Sequence, residues 1–291
     1  MIDFVRFRYL YFFLSLLIIV PGCYSLARFG LKLSVDFTGG TILEISSPNP
    51  LPLGEIKKFF EKKEIPVVSF QRMEGGRMII RTKPLEREKR IEIKKEIEKS
   101  FPKISILSEQ TVGPTLGKEL LVKAIGGMVL SLLLIVVFLA FRFNSFKFGL
   151  CAILAMLHDT FVMLGSFSLL GHFFQVEVDT LFVTAVLTVL SGSVHDTVVI
   201  YERIREILRE REKISLKETV NIAINETLVR SINNSLTILF VLFALFLLGG
   251  ETIKWFTAAL LIGITSGTYS STFIAAPLLV VWERLSRKLR R

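Results

Sequence analysis

The sequence places an aspartate, Asp196, inside an apolar stretch that is long enough to form a membrane helix. Residues 181–193 carry no charge, and residues 198–200 continue the apolar pattern. A carboxylate in such a place is costly, so it must be neutralised or must meet water or a cation. Small and hydroxyl residues precede it at every fourth position and predict one narrow helix face that lines water or a partner helix: Thr184, Thr188 and Gly192.

Arg230 is the predicted cationic partner of Asp196. It begins the fifth predicted membrane helix, and polar residues follow on the same side of that helix at Asn233, Asn234 and Thr237. A guanidinium keeps its proton, so within a membrane it needs an anion or water. Both residues lie near the same membrane surface, which predicts a pair with one fixed and one variable charge. Protonation of Asp196 would release Arg230 and favour a different arrangement of helices.

A polar line is expected to connect Asp196 with the outer side of the membrane through Ser193, Thr188 and Thr184, with His195 as a further member. The expected transported ion is H+, and Na+ can use the same oxygen atoms. One elementary charge that crosses the membrane potential gives about 2.3 kcal/mol per 100 mV, so ion entry can drive such a cycle. The open alternative is that Asp196 and Arg230 only tie two helices together.

His158 and Asp159 form a second polar pair in the third predicted membrane helix. They follow Lys147 by about 12 residues, which corresponds to roughly 18 Å along a helix axis. Two titratable side chains at that depth are expected to avoid lipid. Two interpretations stay open, a polar contact between helices and a part in ion passage. The sequence has three histidines and no HExxH pattern, so no metal site is expected.

The composition is that of a polytopic membrane protein, because 51% of the 291 residues are hydrophobic. About 20 apolar residues cross a bilayer core. Six stretches are long enough: residues 9–27, 125–141, 148–170, 178–200, 232–248 and 255–282. Cys23 and Cys151 fall within or beside these stretches, so no disulfide framework is expected.

Basic residues are concentrated on one side of the six predicted helices. The loop at residues 201–229 and the tail after residue 282 are rich in them, whereas residues 171–177 contain none. The positive-inside rule therefore places both termini in the cytoplasm. The net charge of +10 is then a topology signal, and no nucleic-acid partner is expected. Residues 201–220 predict a charged helix that lies along the cytoplasmic membrane surface.

Three regions follow from this topology: residues 1–29 with helix one, an exterior domain at residues 30–120, and helices two to six at residues 121–291. The exterior domain shows the order βαββαβ, which is typical of a ferredoxin-like α+β sandwich. Its predicted strands are residues 41–46, 67–73, 77–82 and 104–110. Its predicted helices are residues 53–63 and 86–101, and Gly75 and Gly76 predict a turn.

Two glycine patterns are expected to be structural. The segment before the first strand ends in paired glycines, which permit a tight or left-handed backbone: Asp36, Phe37, Thr38, Gly39 and Gly40. The sixth helix has a small residue at every fourth position, with Gly263 and Gly267 at its centre. Such a stripe lets another helix approach closely.

Five motifs together resemble a known family: VDFTGG at 35–40, VGPTLGKEL at 112–120, HDTFVMLG at 158–165, SVHDTVVIYERIRE at 193–206 and LVRSINNSLT at 228–237. In this order, and with six helices around one exterior domain, they resemble the SecF family. SecF is the smaller membrane subunit of the bacterial SecD–SecF protein-export complex, in the resistance-nodulation-division superfamily. The resemblance covers nearly the whole chain.

The resemblance implies a protein of the bacterial inner membrane that pairs with SecD, whose membrane half has the same six-helix plan. It implies use of the proton gradient, or of Na+ in some members, to help unfolded secretory polypeptides cross the SecYEG translocon. The ion-coupling aspartate and arginine of the family fall on Asp196 and Arg230. His195 stands where the family usually has asparagine, and it either replaces an amide hydrogen bond or joins the ion path.

Two other functions stay open, a small-molecule or lipid exporter of the same superfamily and a passive assembly scaffold. Exporters of that superfamily usually duplicate the six helices within one chain and carry larger exterior domains. No Walker A sequence, nucleophile elbow or metal-ligand cluster is present, so neither an enzyme nor a cofactor is expected.

Overall fold

The computed structural model describes residues 2–48, 53–73, 76–143, 145–210 and 214–289; Gly75 of the predicted turn lies outside these ranges. The chain divides into two compact units. One unit is Leu33–Gly126, and the other combines Met1–Lys32 with Gly127–Arg291. We call them the α+β unit and the helical unit.

Six helical spans within the described residues are long and apolar enough to cross a membrane, which confirms the predicted number. The first five are α1 (Arg8–Phe29), α5 (Pro114–Phe143), α6 (Phe146–Phe174), α7 (Thr180–Glu210) and α8 (Leu216–Leu248). The sixth consists of α9 (Glu251–Ser270), one π-helical turn (Ser271–Ala275) and α10 (Ala276–Leu289). A π-helical turn inside an α-helix frees backbone groups for other partners.

The charged segment after residue 200 is not the separate surface helix that its acidic and basic residues predict. Helix α7 continues without a break to Glu210, and α8 begins at Leu216. Tyr201, Ile204 and Ile207 are buried, so the apolar face of α7 extends into the charged sequence and keeps this part packed. Ser215 caps α8 because its Oγ accepts a hydrogen bond from the Glu218 amide at 3.2 Å.

Helices α1 and α6 cross with their backbones in direct contact. A Cβ atom added to Gly165 would lie 2.6 Å from the Cα of Gly22, a distance that real Cβ contacts do not show. Nearby, the hydroxyl groups of Ser25 and Ser168 lie 2.8 Å apart, and Ser168 also donates to the carbonyl of Gly30 at 2.8 Å. Glycine at the crossing point therefore sets the distance between the two helices.

The N-terminal segment is held by the first turns of α8. The Asn221 side chain accepts from the Val5 amide at 3.0 Å and donates to Asp3 at 2.7 Å. The Lys217 ammonium forms an ion pair with Asp3 at 2.7 Å. This hydrogen bond from Lys217 is the main cause that lowers the pKa of Asp3 from its ordinary value. The start of α1 is thus tied to the start of α8.

The α+β unit contains the predicted βαββαβ order. Its elements are a one-turn helix α2 (Val35–Thr38), β1 (Gly40–Ser46), α3 (Leu53–Lys62), β2 (Val67–Met73), β3 (Arg77–Thr82), α4 (Arg87–Ser100) and β4 (Ser105–Val112). The sheet has the order β2-β3-β1-β4, and all its neighbouring strands are antiparallel. Apolar residues of β1, β3, α3 and α4 form its core: Leu43, Ile45, Ile56, Phe60, Met78, Ile80, Ile93 and Ile97. The ferredoxin-like prediction is confirmed.

We expect Gly165→Ala to lower the stability of the helical unit by about 1–3 kcal/mol, because the added methyl group forces two backbones apart. Gly149→Ala is the matched control, since it lies on the same helix and its added Cβ has no atom within 4 Å. Thermal unfolding of the two purified variants in detergent measures the difference. Equal melting temperatures for both variants would contradict the backbone contact.

Candidate functional site

The interior of the helical unit holds a fully buried carboxylate, Asp159 of α6. Two hydroxyl groups donate to its Oδ2, Ser193 of α7 at 2.5 Å and Ser270 of α9 at 2.6 Å. Ser266 of α9 donates to Oδ1 at 2.6 Å, and the Nδ1 of His158 lies 3.0 Å from the same oxygen. A carboxylate has about four acceptor positions, so these four partners match its full capacity. We call these five residues the Asp159 cluster.

His158 extends the cluster to α1. Its Nε2 lies 2.9 Å from the hydroxyl oxygen of Ser15, which is itself buried. Close by, the Tyr269 hydroxyl of α9 donates to the Tyr11 carbonyl of α1 at 2.8 Å. The His158–Asp159 pair therefore links α6 with α1, α7 and α9. The structure shows the polar contact between helices, and a part of this pair in ion passage stays a prediction.

Helix α7 is joined to the sixth span along one face. The hydroxyl oxygens of Thr197 and Ser271 lie 3.0 Å apart, and Ser271 also donates to the Ser193 carbonyl at 3.2 Å. One turn further, the buried Tyr201 hydroxyl donates to the Ala275 carbonyl at 2.9 Å. Ala275 is the last residue of the π-helical turn, so Tyr201 satisfies a carbonyl of the irregular segment.

The two glycines of the sixth span permit the close approach that the sequence predicts. A Cβ added at Gly263 would collide with Val189 of α7 and with the Met163 sulfur of α6. At Gly267 the added atom would lie 3.2 Å from the Cβ of Ser193 and 3.7 Å from Oδ2 of Asp159. Gly267 thus leaves the space in which Ser193 reaches Asp159.

Asp196 lies at the edge of the buried face of α7. Its side chain is half-buried, whereas Thr184, Thr188 and His195 are exposed on the outside of the helical unit. In the described part of the chain, Asp196 has no hydrogen bond or ion pair. The role of Asp196 in ion coupling stays a prediction.

The predicted polar line from Asp196 is not continuous. Ser193 turns inward to Asp159, while Thr188 lies on the exposed face and donates to the Thr184 carbonyl of its own helix at 2.8 Å. The reason is the helical period: Ser193 precedes Asp196 by three residues and is rotated toward α6 and α9. Ser193 therefore belongs to the Asp159 cluster and not to a path that begins at Asp196.

The predicted direct pair of Asp196 and Arg230 is not formed in this structure. Within the described ranges, no ion pair or hydrogen bond joins them, and Arg230 is exposed on α8. Asn233 and Asn234 are exposed as well, whereas the neighbouring Ser235 is buried, with its hydroxyl oxygen 2.6 Å from that of Thr268. Arg230 was predicted to begin its helix, but α8 begins at Leu216 and Arg230 lies near its middle, with the side chain turned outward.

The paired glycines of the α+β unit have the predicted backbone role. Ser34 accepts from the Asp36 amide at 3.2 Å and caps α2, in which Phe37 is buried and Thr38 donates to the Ser34 carbonyl. Gly39 and Gly40 follow with φ angles of +73° and +156°. A Cβ added to Gly39 would lie 2.8 Å from the Cα of Pro114 at the start of α5, so side chains are excluded there.

Sequence reasoning missed three members of this arrangement, Ser266, Ser270 and Ser15. A signal for the first two is present, because Ser266 and Ser270 are four residues apart in a membrane helix and share one face. Among the described residues, no group of three or more His, Cys, Asp or Glu side chains is suited to hold a metal ion.

Comparison with known proteins identifies the family. Residues 92–285 match the family model "Protein export membrane protein SecD/SecF, C-terminal", and residues 24–47 match the "SecD/SecF GG Motif". The protein translocase subunit SecF of Thermobaculum terrenum is 42% identical over 299 residues, which cover 97% of this chain and 94% of the relative. The SecF subunit of Anaerolinea thermophila is 37% identical over 292 residues, with coverage of 97% and 94%.

A solved structure shows the same fold. The crystal structure of SecDF, described as a translocon-associated membrane protein from Thermus thermophilus, matches with a TM-score of 0.87 and 32% sequence identity. The match covers 97% of this chain and 39% of that chain, so this chain spans about two fifths of the SecDF protein. The chain therefore belongs to the SecD/SecF family of protein-export membrane proteins, and within it to the SecF subunits of the protein translocase.

Proposed function

We propose that this chain is the ion-coupled half of a SecD–SecF pair and uses the proton-motive force to promote late steps of export of unfolded secretory polypeptides through the SecYEG translocon. Relatives of similar length are named protein translocase subunit SecF, and the name of the Thermus relative joins both subunits. The description of that relative as translocon-associated supports the proposed site of action. No observation favours the small-molecule or lipid exporter.

One observation carries the proposal: polar side chains lie on the outside of the helical unit, within its membrane spans. On α7 they are Thr184, Thr188 and His195, and on α8 they are Arg230, Asn233 and Asn234, all exposed in this chain. Polar and charged groups at membrane depth face a bundle interior or water and not lipid. We call this surface the polar membrane face, and we propose that the six-helix half of SecD covers it.

Asp196 is the proposed coupling group because it borders this surface and has no fixed partner in the described residues. When Asp196 is ionised, Arg230 is the cation on the neighbouring helix that can approach it. When Asp196 binds a proton, Arg230 loses that attraction and is solvated elsewhere. Two arrangements of α7, α8 and the partner thereby differ in stability according to ion occupancy, with Na+ as the alternative ion.

We expect Asp196→Asn to abolish the ion-gradient-dependent part of protein export, since the amide cannot exchange a proton or attract Arg230. The measurement is the release of a secretory protein from membrane vesicles with and without an imposed proton gradient. Glu206→Gln is the matched control, because it neutralises an exposed carboxylate on the same helix outside the apolar run. Unchanged gradient dependence in Asp196→Asn would leave the chain as a passive scaffold.

Cysteines at His195 and Asn234 should form cross-links to co-expressed SecD in membranes in which Cys23 and Cys151 are replaced. Both positions lie on the polar membrane face and would contact the partner directly. Phe138→Cys on α5 serves as the control, because this position is half exposed in the uncharged stretch between Lys123 and Arg142, which suits lipid. Cross-linking at position 138 but not at 195 or 234 would place SecD on another surface.

We further propose that the protein lies in the bacterial inner membrane with both termini in the cytoplasm and the α+β unit outside. The basic residues of the loops and tail support this orientation. Cysteine at the exposed Val68 should react with a membrane-impermeant reagent in intact spheroplasts, whereas cysteine at the exposed Glu210 should react only after permeabilisation. The opposite labelling pattern would invert the topology.

A further inference from the structure

The Asp159 cluster lies on the buried face of α7, next to Asp196, the proposed coupling group. Ser193 and Thr197 stand three residues before and one residue after Asp196, and both are buried. Ser193 donates to Asp159, and Thr197 contacts Ser271 of the sixth span. Because successive residues on a helix are rotated by about 100°, these two contacts fix the rotation of α7 on both sides of Asp196.

The two carboxylates of this region have opposite surroundings. Asp159 is fully buried, accepts hydrogen bonds from three serine hydroxyls and lies 3.0 Å from the Nδ1 of His158, whereas Asp196 is half-buried and has no hydrogen bond in the described ranges. To take up an ion, Asp159 would have to break bonds to several helices at once, whereas Asp196 would break none. Asp159 is therefore suited to hold helices in place, and Asp196 is suited to exchange an ion.

We propose that Asp159 is a positioning residue for Asp196: it holds α7 against α9 at the rotation that keeps Asp196 at the edge of the polar membrane face. Three observations support this role. The Ser193 hydroxyl reaches Asp159 across the gap left by Gly267, Thr197 and Tyr201 continue the contact toward the π-helical turn, and His158 anchors the cluster to Ser15 of α1. The proposal rests on the proposed coupling role of Asp196.

Other ionisable groups near the cluster are few. On α6 the neighbour is His158, on α9 it is Tyr269, and on α1 it is Tyr11. On α7 the ionisable neighbours of Ser193 are His195, which is exposed, and Asp196 itself. The cluster is thus held by three serine hydroxyls and one imidazole, with no Lys or Arg among the hydrogen-bond partners of Asp159 in the described residues.

The test uses a reversible covalent bond between α7 and the sixth span. Thr197→Cys with Ser271→Cys is suitable, because the hydroxyl oxygens that the two sulfurs replace lie 3.0 Å apart. The pair is placed in the full chain with SecD, with Cys23 and Cys151 replaced, and is oxidised by copper–phenanthroline in membranes. This background then receives one of four substitutions: Asp159→Asn, Ser193→Ala, Asp196→Asn or the control Thr160→Ala. Thr160 is a suitable control because its hydroxyl donates to the Met156 carbonyl of the same helix.

The first readout is the rate of cross-link formation, which does not depend on export. We expect Asp159→Asn and Ser193→Ala to slow cross-linking by about 3- to 10-fold, because α7 is no longer held against α9, and Thr160→Ala to leave the rate unchanged. An unchanged rate in Asp159→Asn and Ser193→Ala would overturn the proposal. Should Asp159→Asn fail to accumulate in membranes, Ser193→Ala decides alone, since it removes one hydroxyl group and leaves the carboxylate in place.

The second readout is gradient-dependent export before and after oxidation. We expect Asp159→Asn and Ser193→Ala to lower it about 5-fold or more in the reduced state and oxidation to restore it, whereas oxidation restores nothing in Asp196→Asn. Cross-linked Asp159→Asn that stays inactive would assign Asp159 to ion transfer and overturn the positioning role. Loss of export on oxidation of the otherwise unchanged protein would show that α7 must move against α9, which also overturns it.

Failure of the positioning role and failure of the proposed function give different results. If Asp196→Asn leaves gradient-dependent export intact, the coupling role of Asp196 fails, whatever the cross-linking rates show. If Asp196→Asn abolishes that export while Asp159→Asn leaves both the cross-linking rate and export unchanged, only the positioning role fails.

Discussion

The helical unit depends on the burial of one carboxyl group, that of Asp159, in its interior. A polar group that is buried without hydrogen-bond partners is costly. Each partner that is removed leaves a buried group unsatisfied at a cost of about 1–3 kcal/mol, so Asp159 requires the four groups around it. The donors come from α6, α7 and α9, and they can meet at one point only if these helices lie very close together. The small residues at Gly263 and Gly267 permit that approach.

This constraint explains why the six spans differ so much in burial. Helices α6, α7 and α9 surround Asp159 and bury many side chains, and α1 joins them through the Gly22–Gly165 contact and through Ser15. Helix α5 contributes little to this interior and exposes most of its apolar surface. Helix α8 packs against α9 through Ser235 and Thr268, but its side chains Arg230, Asn233 and Asn234 face outward. The packed group of α1, α6, α7 and α9 thus leaves the polar surface of α7 and α8 exposed.

Periodicity and length were sufficient to predict the six spans and the βαββαβ order, because both follow from local patterns. The site was predicted less well, since local sequence patterns fix neither the exact start of a helix nor the direction of one side chain; α8 begins at Leu216 and not at Arg230. Arg230 and Asp196 were predicted to pair at similar depth, yet Arg230 is exposed and the pair is not formed. Ser193 was grouped with Asp196 by proximity in sequence, although the helix turns it to Asp159. Ser266 and Ser270 were missed because two serines in a small-residue helix resemble packing residues, and their common partner lies more than 100 residues earlier in the chain.

The arrangement also limits where an ion-driven movement can take place. A change between α1, α6, α7 and α9 would have to separate the backbones in contact at Gly22 and Gly165 and break several hydrogen bonds to the buried Asp159 side chain. Each serine hydroxyl left without its acceptor would cost about 1–3 kcal/mol. Together these costs exceed the roughly 2.3 kcal/mol that one charge provides per 100 mV of membrane potential. Movement of α8 or of a partner over the polar membrane face breaks none of these contacts. These costs favour the proposed arrangement, in which an ion bound at Asp196 acts on the polar membrane face and the contacts of Asp159 stay unchanged.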